Sequence, residues 1–383
     1  MKKKTPMNRL VLIGNGFDKA HGLPTSYNDF ILWYMMSCLA IADKEGEHKD
    51  LLLEIKRHKN IQLQTGSIKN IEDYVQHFYK GGFTGITSDR IGFGDVLNTT
   101  YTNPFQVKIL SPFFRGLLAK CTTTTWVEIE NEYYAFLKKI LDSEKEDIRL
   151  ETLDKLHVIF KFIIERLEAY LTTLPAPKPL ADYKEIFDSH IMEKDVVNTK
   201  NVIGTRLPDH TLVLNFNYTP TTDIYFSVPG TKFISPNNRK TVNHIHGEIN
   251  KPENPVIFGF GDELDKAYEK MELQTNRGFF SFIKSFWYFK TSNYHNLVRF
   301  IDSAEFQVVV LGHSCGLSDR TMLNMIFEHE QCVSIKIYYY GDKARNNYTE
   351  ITQDISRHFR NKQQLRRKIV PFDNSEPMPQ FQP

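Results

Sequence analysis

The stretch RLVLIGNGFDKAHGLP, residues 9–24, decides the fold of this chain. Its apolar run Leu10–Ile13 has no polar alternation and stops at Gly14, which is typical of a strand buried on both faces of a parallel sheet. A glycine-bearing turn follows at once. From Ser26 onward apolar residues recur at helical spacing, and Asp29 completes a capping-box pattern. The sequence therefore predicts a strand, a loop and a helix at the start of an α/β fold.

The composition of the 383 residues is that of an ordinary globular protein, with 41% hydrophobic and 25% charged residues. A net charge of +2 is too balanced for a surface that wraps a polyanion, so a nucleic-acid partner is unsupported. No apolar run approaches ~18 residues, so we expect no membrane span. The cysteines form no CxxC pair, which argues against a zinc ribbon or a secreted disulfide framework and favours the cytoplasm. They are Cys38, Cys121, Cys315 and Cys332.

The distribution of helix and strand signals divides the chain. Residues 45–208 show few strand signals but several amphipathic helical stretches, so we expect a helical insertion there. Strand and helix signals then alternate, which predicts a mostly parallel sheet built from residues 1–44 and 209–362. The polar, proline-rich residues 363–383 are expected to form a poorly ordered tail. The later predicted strands are Thr211–Phe216, Thr241–Ile245, Val256–Phe260, Phe306–Leu311 and Val333–Tyr340.

Polar loops follow the first predicted strand and three of the later ones. They read GNGFDKAHGLP (14–24), NFNYT (215–219), HIHGE (244–248) and GHSCGLSD (312–319). Ligands of open α/β sheets bind beyond the carboxyl ends of the strands, where such loops meet. The sequence therefore predicts a pocket for a nucleotide at this edge.

Several of these loop residues have two interpretations. Gly14 and Gly16 either let backbone NH groups cradle a phosphate or satisfy the sterics of a tight turn. Asp18 either binds a ribose hydroxyl or caps the first helix. Asn215 fits a structural role as the cap of a turn. One of His244 or His246 fits the role of a core histidine with satisfied hydrogen bonds.

The combination of motifs resembles a known family. GNGFD (14–18), HGLPTSY (21–27), WVEIE (126–130), NFNYT, HIHG and GHSCGLSD together resemble the AbiH family of bacterial phage abortive-infection proteins, over nearly the whole chain. The order of a Gly-x-Gly loop, an Asn-bearing strand end, His-Gly and Gly-x-Ser is also similar to the sirtuin-like fold, a Rossmann variant that binds NAD. The resemblance implies a Rossmann-like, mostly parallel sheet with a large helical insertion, and a phage-defence effector that hydrolyses NAD or a related nucleotide.

The resemblance also implies roles for individual residues. Asn217 matches the sirtuin-like asparagine and His246 the histidine, while Thr219 stands where an acidic residue is usual. No four-cysteine zinc module and no acetyl-lysine channel can be recognised, so we expect neither protein deacetylation nor a metal. The nucleotide-contacting positions implied are Gly14, Asn15, Gly16, Asp18, Tyr218, Thr219, Gly247, Gly312, Ser314 and Asp319.

The chemistry of the implied reaction is consistent with these residue types. Cleavage of the nicotinamide–ribose bond passes through an oxocarbenium-like state, so the site needs a polar clamp and a base that activates water. Asn217 is the predicted clamp and His246 the predicted base. Glu128 and Glu130 either reach the site from the insertion or form the solvated face of a helix.

Two alternatives to this function remain open. Residues 312–316 read GHSCG, a GxSxG between a strand and a helix, and Ser314, Asp342 and His358 have the chain order of a serine esterase triad. A nucleotide sensor without catalytic activity is the other alternative, because Thr219 replaces the usual acidic residue. The partners expected are a nucleotide ligand, a phage-derived trigger and a second copy of the chain.

Overall fold

The computed structural model describes residues 6–58, 60, 69–80, 104–120, 126–143, 145–197, 204–226, 234–235 and 238–381. The chain forms two compact units. The first unit contains Met1–Pro24, Leu174–Thr275 and Phe282–Pro383, and the second contains Thr25–Thr173 and Asn276–Ser281.

The strands of the described residues are β1 (Met7–Ile13), β2 (Glu47–Lys49), β3 (Leu53–Arg57), β4 (Phe105–Ile109), β5 (His210–Asn215), β6 (Ile234–Ser235), β7 (Asn238–His244), β8 (Glu305–Leu311), β9 (Cys332–Tyr339) and β10 (Glu376–Pro377). The α-helices are α1 (Asn15–Ala20), α2 (Tyr27–Glu45), α3 (Ile71–Lys80), α4 (Pro112–Lys120), α5 (Trp126–Leu141), α6 (Glu146–Thr172), α7 (Ala181–Asp188), α8 (Asp223–Phe226), α9 (Lys266–Glu272), α10 (Lys284–Trp287), α11 (Asn293–Ser303), α12 (Arg320–Glu328), α13 (Tyr348–Arg357) and α14 (Lys362–Lys368). Within the described ranges, no helix combines the length and the apolar character that crossing a bilayer requires.

The first unit is built on a sheet of six parallel strands and one antiparallel strand, in the order β10-β9-β8-β1-β5-β7-β6. The side chains of the central strand β1 alternate between two cores: Leu10 and Leu12 pack into one, and Val11 and Ile13 into the other. Burial on both faces explains the unbroken apolar run of β1, and the predicted mostly parallel sheet is confirmed.

The parallel direction of β1, β5, β7 and β8 brings the loops after these strands to one edge of the sheet. In that sheet β1 pairs with both β5 and β8, and β5 pairs with β7. Since these are the strands that precede the polar loops, the fold places the loops side by side.

The strand predicted at Val256–Phe260 is wrong. The segment is irregular, with one isolated parallel bridge between Phe260 and Ile283. A Cβ on Gly259 would lie 2.0 Å from the Phe282 carbonyl oxygen, so this backbone packs directly against another segment. Apolar composition alone does not separate a buried irregular segment from a buried strand.

The second unit combines α2–α6 with an antiparallel sheet of order β2-β3-β4. Helix α2 has the capping box expected from the sequence: Ser26 N donates to Asp29 Oδ2 (2.9 Å) and Asp29 N donates to Ser26 Oγ (3.2 Å). The sequence shows few strand signals between residues 45 and 208 and predicts a helical insertion, whereas this sheet also lies there. Its strands are three to five residues long, so their period of two is too brief to stand out.

The end of the chain differs from the poorly ordered tail expected for residues 363–383. Asn361 caps α14, with Oδ1 accepting from Gln363 N at 2.9 Å. The Lys368 ammonium donates to the Phe327 carbonyl at 2.8 Å, and β10 pairs with the edge of the sheet at β9. Caps and edge pairing order this polar segment without a long apolar run.

Candidate functional site

The loop after β1 packs directly on the loop after β8. Gly16 N donates to the Gly312 carbonyl at 2.8 Å and Phe17 N to the Gly14 carbonyl at 2.8 Å. A Cβ on Gly14 would lie 2.7 Å from His313 Cα, and Gly312 has φ +77°. Close packing of two backbones therefore accounts for these glycines, and two amides of the predicted phosphate cradle already have acceptors.

The turn after β5 is hydrogen-bonded to the loop after β1. Asn217 Nδ2 donates to the Gly14 carbonyl at 3.1 Å, and Asn217 N donates to Asn215 Oδ1 at 3.0 Å. Asn215 therefore stabilises a turn, which is the structural role expected for it as an alternative to a role in the site. Both side chains are buried.

Asp18 does not cap the first helix. The N-cap residue of α1 is Gly14, and Asp18 Oδ2 instead accepts from Thr219 Oγ1 at 2.5 Å. Its Oδ1 is buried and has no hydrogen-bond partner among the described residues. Burial raises the pKa of Asp18 to about 6, although nearby hydroxyl and amide donors lower it. The cap interpretation is wrong, because Asp18 instead connects α1 to the turn after β5.

His246, which follows β7, belongs to a buried charged cluster. Its Nε2 lies 3.1 Å from Asp319 Oδ1 and 3.1 Å from the Tyr288 hydroxyl. The Lys284 ammonium lies 2.8 Å from the same Asp319 oxygen, and His313 Nε2 lies 3.8 Å from Asp319 Oδ2. Four elements of the first unit supply these side chains: the ends of β7 and β8, helix α10 with the turn after it, and the turn before α12.

Burial and charge fix the protonation states in this cluster. Burial alone would raise the pKa of Asp319, but Lys284 and the two histidines lower it well below its usual range. Burial lowers the pKa of His246, and Lys284 adds to the effect. Burial likewise lowers the pKa of His313 to about 4. The cluster therefore contains an ammonium–carboxylate pair and two neutral imidazoles at pH 7.

The imidazole of His246 is enclosed. Tyr288 and Tyr218 stack along it, with interplanar angles of 14° and 24°. The ring also hydrogen-bonds the backbone of Phe216, in addition to the contacts of Nε2. A water molecule approaching this predicted base would have to take the place of the Tyr288 hydroxyl.

A cavity of about 570 Å³ opens beside the cluster within the first unit. Asp319 lines it, and so does Tyr288, which hydrogen-bonds His246. The cavity therefore reaches the buried charges of the strand ends. Its other lining residues are Gly261, Glu263, Tyr268, Glu269, Glu272, Ser285, Phe286, Phe289, Tyr294, Thr321 and Met322.

The structure brings most of the predicted residues together. Asn217 contacts the Gly14 loop, which packs on Gly312. Phe216 links this group to the charged cluster, because its ring lies 4.2 Å from the His313 ring and 4.9 Å from the His246 ring. Direct contacts thus connect the ends of β1, β5, β7 and β8.

The remaining predicted positions differ in exposure and in their contacts. Ser314 is exposed and Asn15 half-buried. Tyr218 donates to the Ile257 carbonyl at 3.3 Å. Gly247 has φ +82°, and a Cβ there would lie 2.1 Å from the Pro255 carbonyl, so backbone packing accounts for this glycine.

The two glutamates of the WVEIE motif lie in the second unit. Glu130 is buried there, so it does not belong to a solvated helix face. The side chain of Glu128 lies outside the described residues.

The contacts of the predicted esterase residues do not form a triad. His358 Nε2 donates to the Cys315 carbonyl at 2.8 Å. Asp342 is exposed and accepts from the backbone amides of Ala344 and Arg345 in a turn. The histidine proton and the aspartate oxygen that a nucleophilic Ser314 would need therefore have other partners.

Lys284 and Tyr288 are the functional candidates that sequence reasoning missed. No motif contains them. A signal was nevertheless present, because the run FFSFIKSFWYF (279–289) contains one lysine among aromatic residues. A lone cation in such a run predicts a buried ion-pair partner.

Among the described residues, two side-chain groups have the chemistry of metal ligands, and the first is Asp223, His244 and Glu248 in the first unit. Asn215 Oδ1 accepts from Asn217 N, so its Nδ2 donates to His244 Nδ1 (3.1 Å). His244 then carries its proton on Nε2, which lies 3.1 Å from Asp223 Oδ1. A cation at Nε2 would need that proton removed, so the hydrogen bonds favour a histidine–aspartate pair.

The second group is Cys38, His48 and Asp50 in the second unit. Asp50 already accepts from the Tyr34 hydroxyl (2.7 Å), from His48 Nε2 (2.9 Å) and from two backbone amides. Burial raises the pKa of Cys38 to about 12, which keeps it a thiol. These contacts describe a hydrogen-bonded turn.

The fold and the site together define an α/β protein with a buried polar site at the carboxyl edge of a parallel sheet. A family model described as "Bacteriophage abortive infection AbiH" matches residues 10–340, and the chain belongs to this family. The part of the resemblance that named this family is thereby confirmed. No curated protein and no solved structure matches the chain.

Proposed function

We propose that this protein is an abortive-infection effector that binds NAD or a related nucleotide and hydrolyses its N-glycosidic bond. The observation that carries the proposal is the direct contact between the loops that hold Asn217 and His246, together with Asp319, which contacts His246 and lines a cavity of about 570 Å³. That volume lies within the usual range of small-molecule sites. Membership of the AbiH family supplies the phage-defence context.

In the proposed reaction each polar group has a distinct task. Asn217, oriented by the Gly14 carbonyl, offers its amide to the nicotinamide or ribose. The neutral His246 takes a proton from the attacking water, which occupies the position of the Tyr288 hydroxyl. Asp319 then stabilises the imidazolium across 3.1 Å. Asp18 Oδ1 accepts a ribose hydroxyl.

The sirtuin-like part of the proposal rests on the order of the motifs along a parallel sheet. Asn217, His246 and Gly312 follow β5, β7 and β8, the order that the sirtuin-like pattern requires. The nicotinamide end would occupy the side of His246, and the adenosine end the side of Ser314. The phosphates would need the loop at Gly14 and Gly312 to open, because Gly16 N already donates to Gly312.

Incubation of the purified protein with NAD, with nicotinamide measured by chromatography, tests the proposal. We expect release above a no-enzyme blank, and a loss of at least tenfold in His246→Ala and in Asn217→Ala. Glu330→Gln, an exposed change before β9 at the opposite edge, is the matched control and should retain the rate. Equal release by wild type and His246→Ala would show that the base is assigned wrongly.

The enclosure of His246 favours a second candidate, a nucleotide sensor without catalysis. Both sides of its imidazole have partners, as expected of a core histidine. Calorimetric binding of NAD with no nicotinamide release, also in the presence of phage lysate, would select the sensor. Light scattering with and without NAD would show whether a second copy of the chain joins the complex.

A further inference from the structure

We infer that the cavity beside Asp319 binds a small organic cation. The cavity lies in the first unit between α9, the segment that contains α10, and the turn before α12. Its lining combines carboxylates with aromatic rings and includes no lysine, arginine or histidine. The carboxylates are Asp319, Glu263, Glu269 and Glu272, and the rings are Tyr268, Phe286, Tyr288, Phe289 and Tyr294.

The lining contains four carboxylates and no basic side chain. Asp319 is paired with Lys284, but Glu263, Glu269 and Glu272 form no ion pair with any lysine or arginine in the described ranges. The negative potential reaches the cavity wall, since burial together with Glu263 and Glu272 raises the pKa of Tyr268 to about 12. A cationic ligand would complement the carboxylates of this lining.

The aromatic residues give this charge a binding surface. Phe286 and Phe289 are 48% and 66% exposed, although large apolar side chains are usually buried. Tyr288 and Tyr294, which also line the cavity, stack on each other, with ring centroids 5.7 Å apart and an interplanar angle of 10°. Carboxylates beside aromatic rings attract cations through both ionic and cation–π interactions. The ligand class is therefore a cation with an apolar or planar body.

This assignment excludes the phosphate end of a nucleotide from the cavity, because a pyrophosphate would face several carboxylates at once. Two sources supply the required chemistry. One is the positively charged pyridinium ring of oxidised NAD, and that version rests on the proposed function. The other is a free aliphatic amine, which does not depend on the proposed function.

Calorimetry with three probes tests the inference. The probes are 1-methylnicotinamide, a pyridinium cation; nicotinamide, its neutral counterpart; and spermidine, an aliphatic polyamine. We expect at least one cation to bind with an affinity that falls as salt is raised, and nicotinamide to bind at least tenfold more weakly. Glu263→Gln and Glu269→Gln should each weaken cation binding by roughly two- to fivefold. Glu330→Gln is the control and should bind like wild type.

The outcomes separate this inference from the proposed function. Binding of 1-methylnicotinamide alone identifies the pyridinium source, and binding of spermidine alone identifies the amine source. Equal binding of nicotinamide and its cation, unchanged affinity in both glutamate variants, or binding of neither cation would overturn the inference. NAD hydrolysis would stand if only the cation site failed, and the cation site would stand if no nicotinamide were released.

Discussion

Replacing Lys284 by methionine is expected to destabilise the first unit strongly. Lys284 is fully buried, and its ammonium lies 2.8 Å from Asp319, which is 5% exposed. Without it Asp319 is a buried charge whose nearest polar partner is the neutral His246. Removing one partner of a buried ion pair costs about 3–5 kcal/mol, whereas methionine fills most of the space of the lysine stem.

The loss should depend on pH. In the wild type, Lys284 keeps the pKa of Asp319 below its unfolded value, so the stability from this group is complete above that value and constant between pH 5 and 8. In Lys284→Met, burial dominates and raises the pKa of Asp319 above its unfolded value. The folded variant then binds a proton as the pH falls, so its stability rises. We expect a smaller difference from wild type at pH 5 than at pH 8.

Urea unfolding followed by tryptophan fluorescence at both pH values measures the effect. Arg357→Met is the control, because it removes an exposed cation 3.3 Å from Asp354 in the same unit, a change worth less than about 1 kcal/mol. Adding Asp319→Asn to Lys284→Met should recover part of the loss at pH 8. A Lys284→Met variant as stable as the control at both pH values would refute the reasoning.

Three further predictions concern the strand ends and the terminus. Asp18→Asn should stabilise the protein at pH 8 by about 2–3 kcal/mol, because burial raises the Asp18 pKa from 3.8 to about 6; urea titration should also show that the variant loses the rise in stability as the pH falls through that interval. Gly312→Ala should lower the free energy of unfolding by at least about 2 kcal/mol, since its Cβ would lie 2.3 Å from Phe17 N at φ +77°; thermal unfolding against wild type checks it. Deletion of residues 371–383 removes β10 and exposes the edge of β9, so light scattering should detect association that the full chain does not show.

The strands of the sheet could be predicted where their own residues form a long apolar run. The apolar run of β1 indicates burial on both faces, and the packing of its side chains into two cores confirms this. The two-residue strand β10 has no such signal, because its stability comes from the edge of β9 and from the caps that precede it. Short or edge elements depend on partners that are distant in sequence.

The site could be predicted only in part for the same reason. Parallel strands bring their carboxyl ends together, so Asn217 and His246 could be placed near Gly14 from the sequence. Lys284 comes from an irregular region without periodicity, and only the folded chain shows that it meets Asp319. The glycines were recognisable, but whether they face a ligand or another loop depends on the packing against Gly312.

Buried charge by itself does not identify the site, as a second pair in the same unit shows. Lys336 lies in β9 and contacts Asp195 at 3.3 Å, and both side chains are buried. Neither residue lines the cavity at the carboxyl edge, and the same lysine also contacts Glu376 of β10, so this pair fastens the end of the chain. Asp319 differs because its carboxylate is held ionised by Lys284 and also borders the cavity. A charge kept at the wall of a cavity is available to a ligand, and that difference is the reason for assigning function to this cluster.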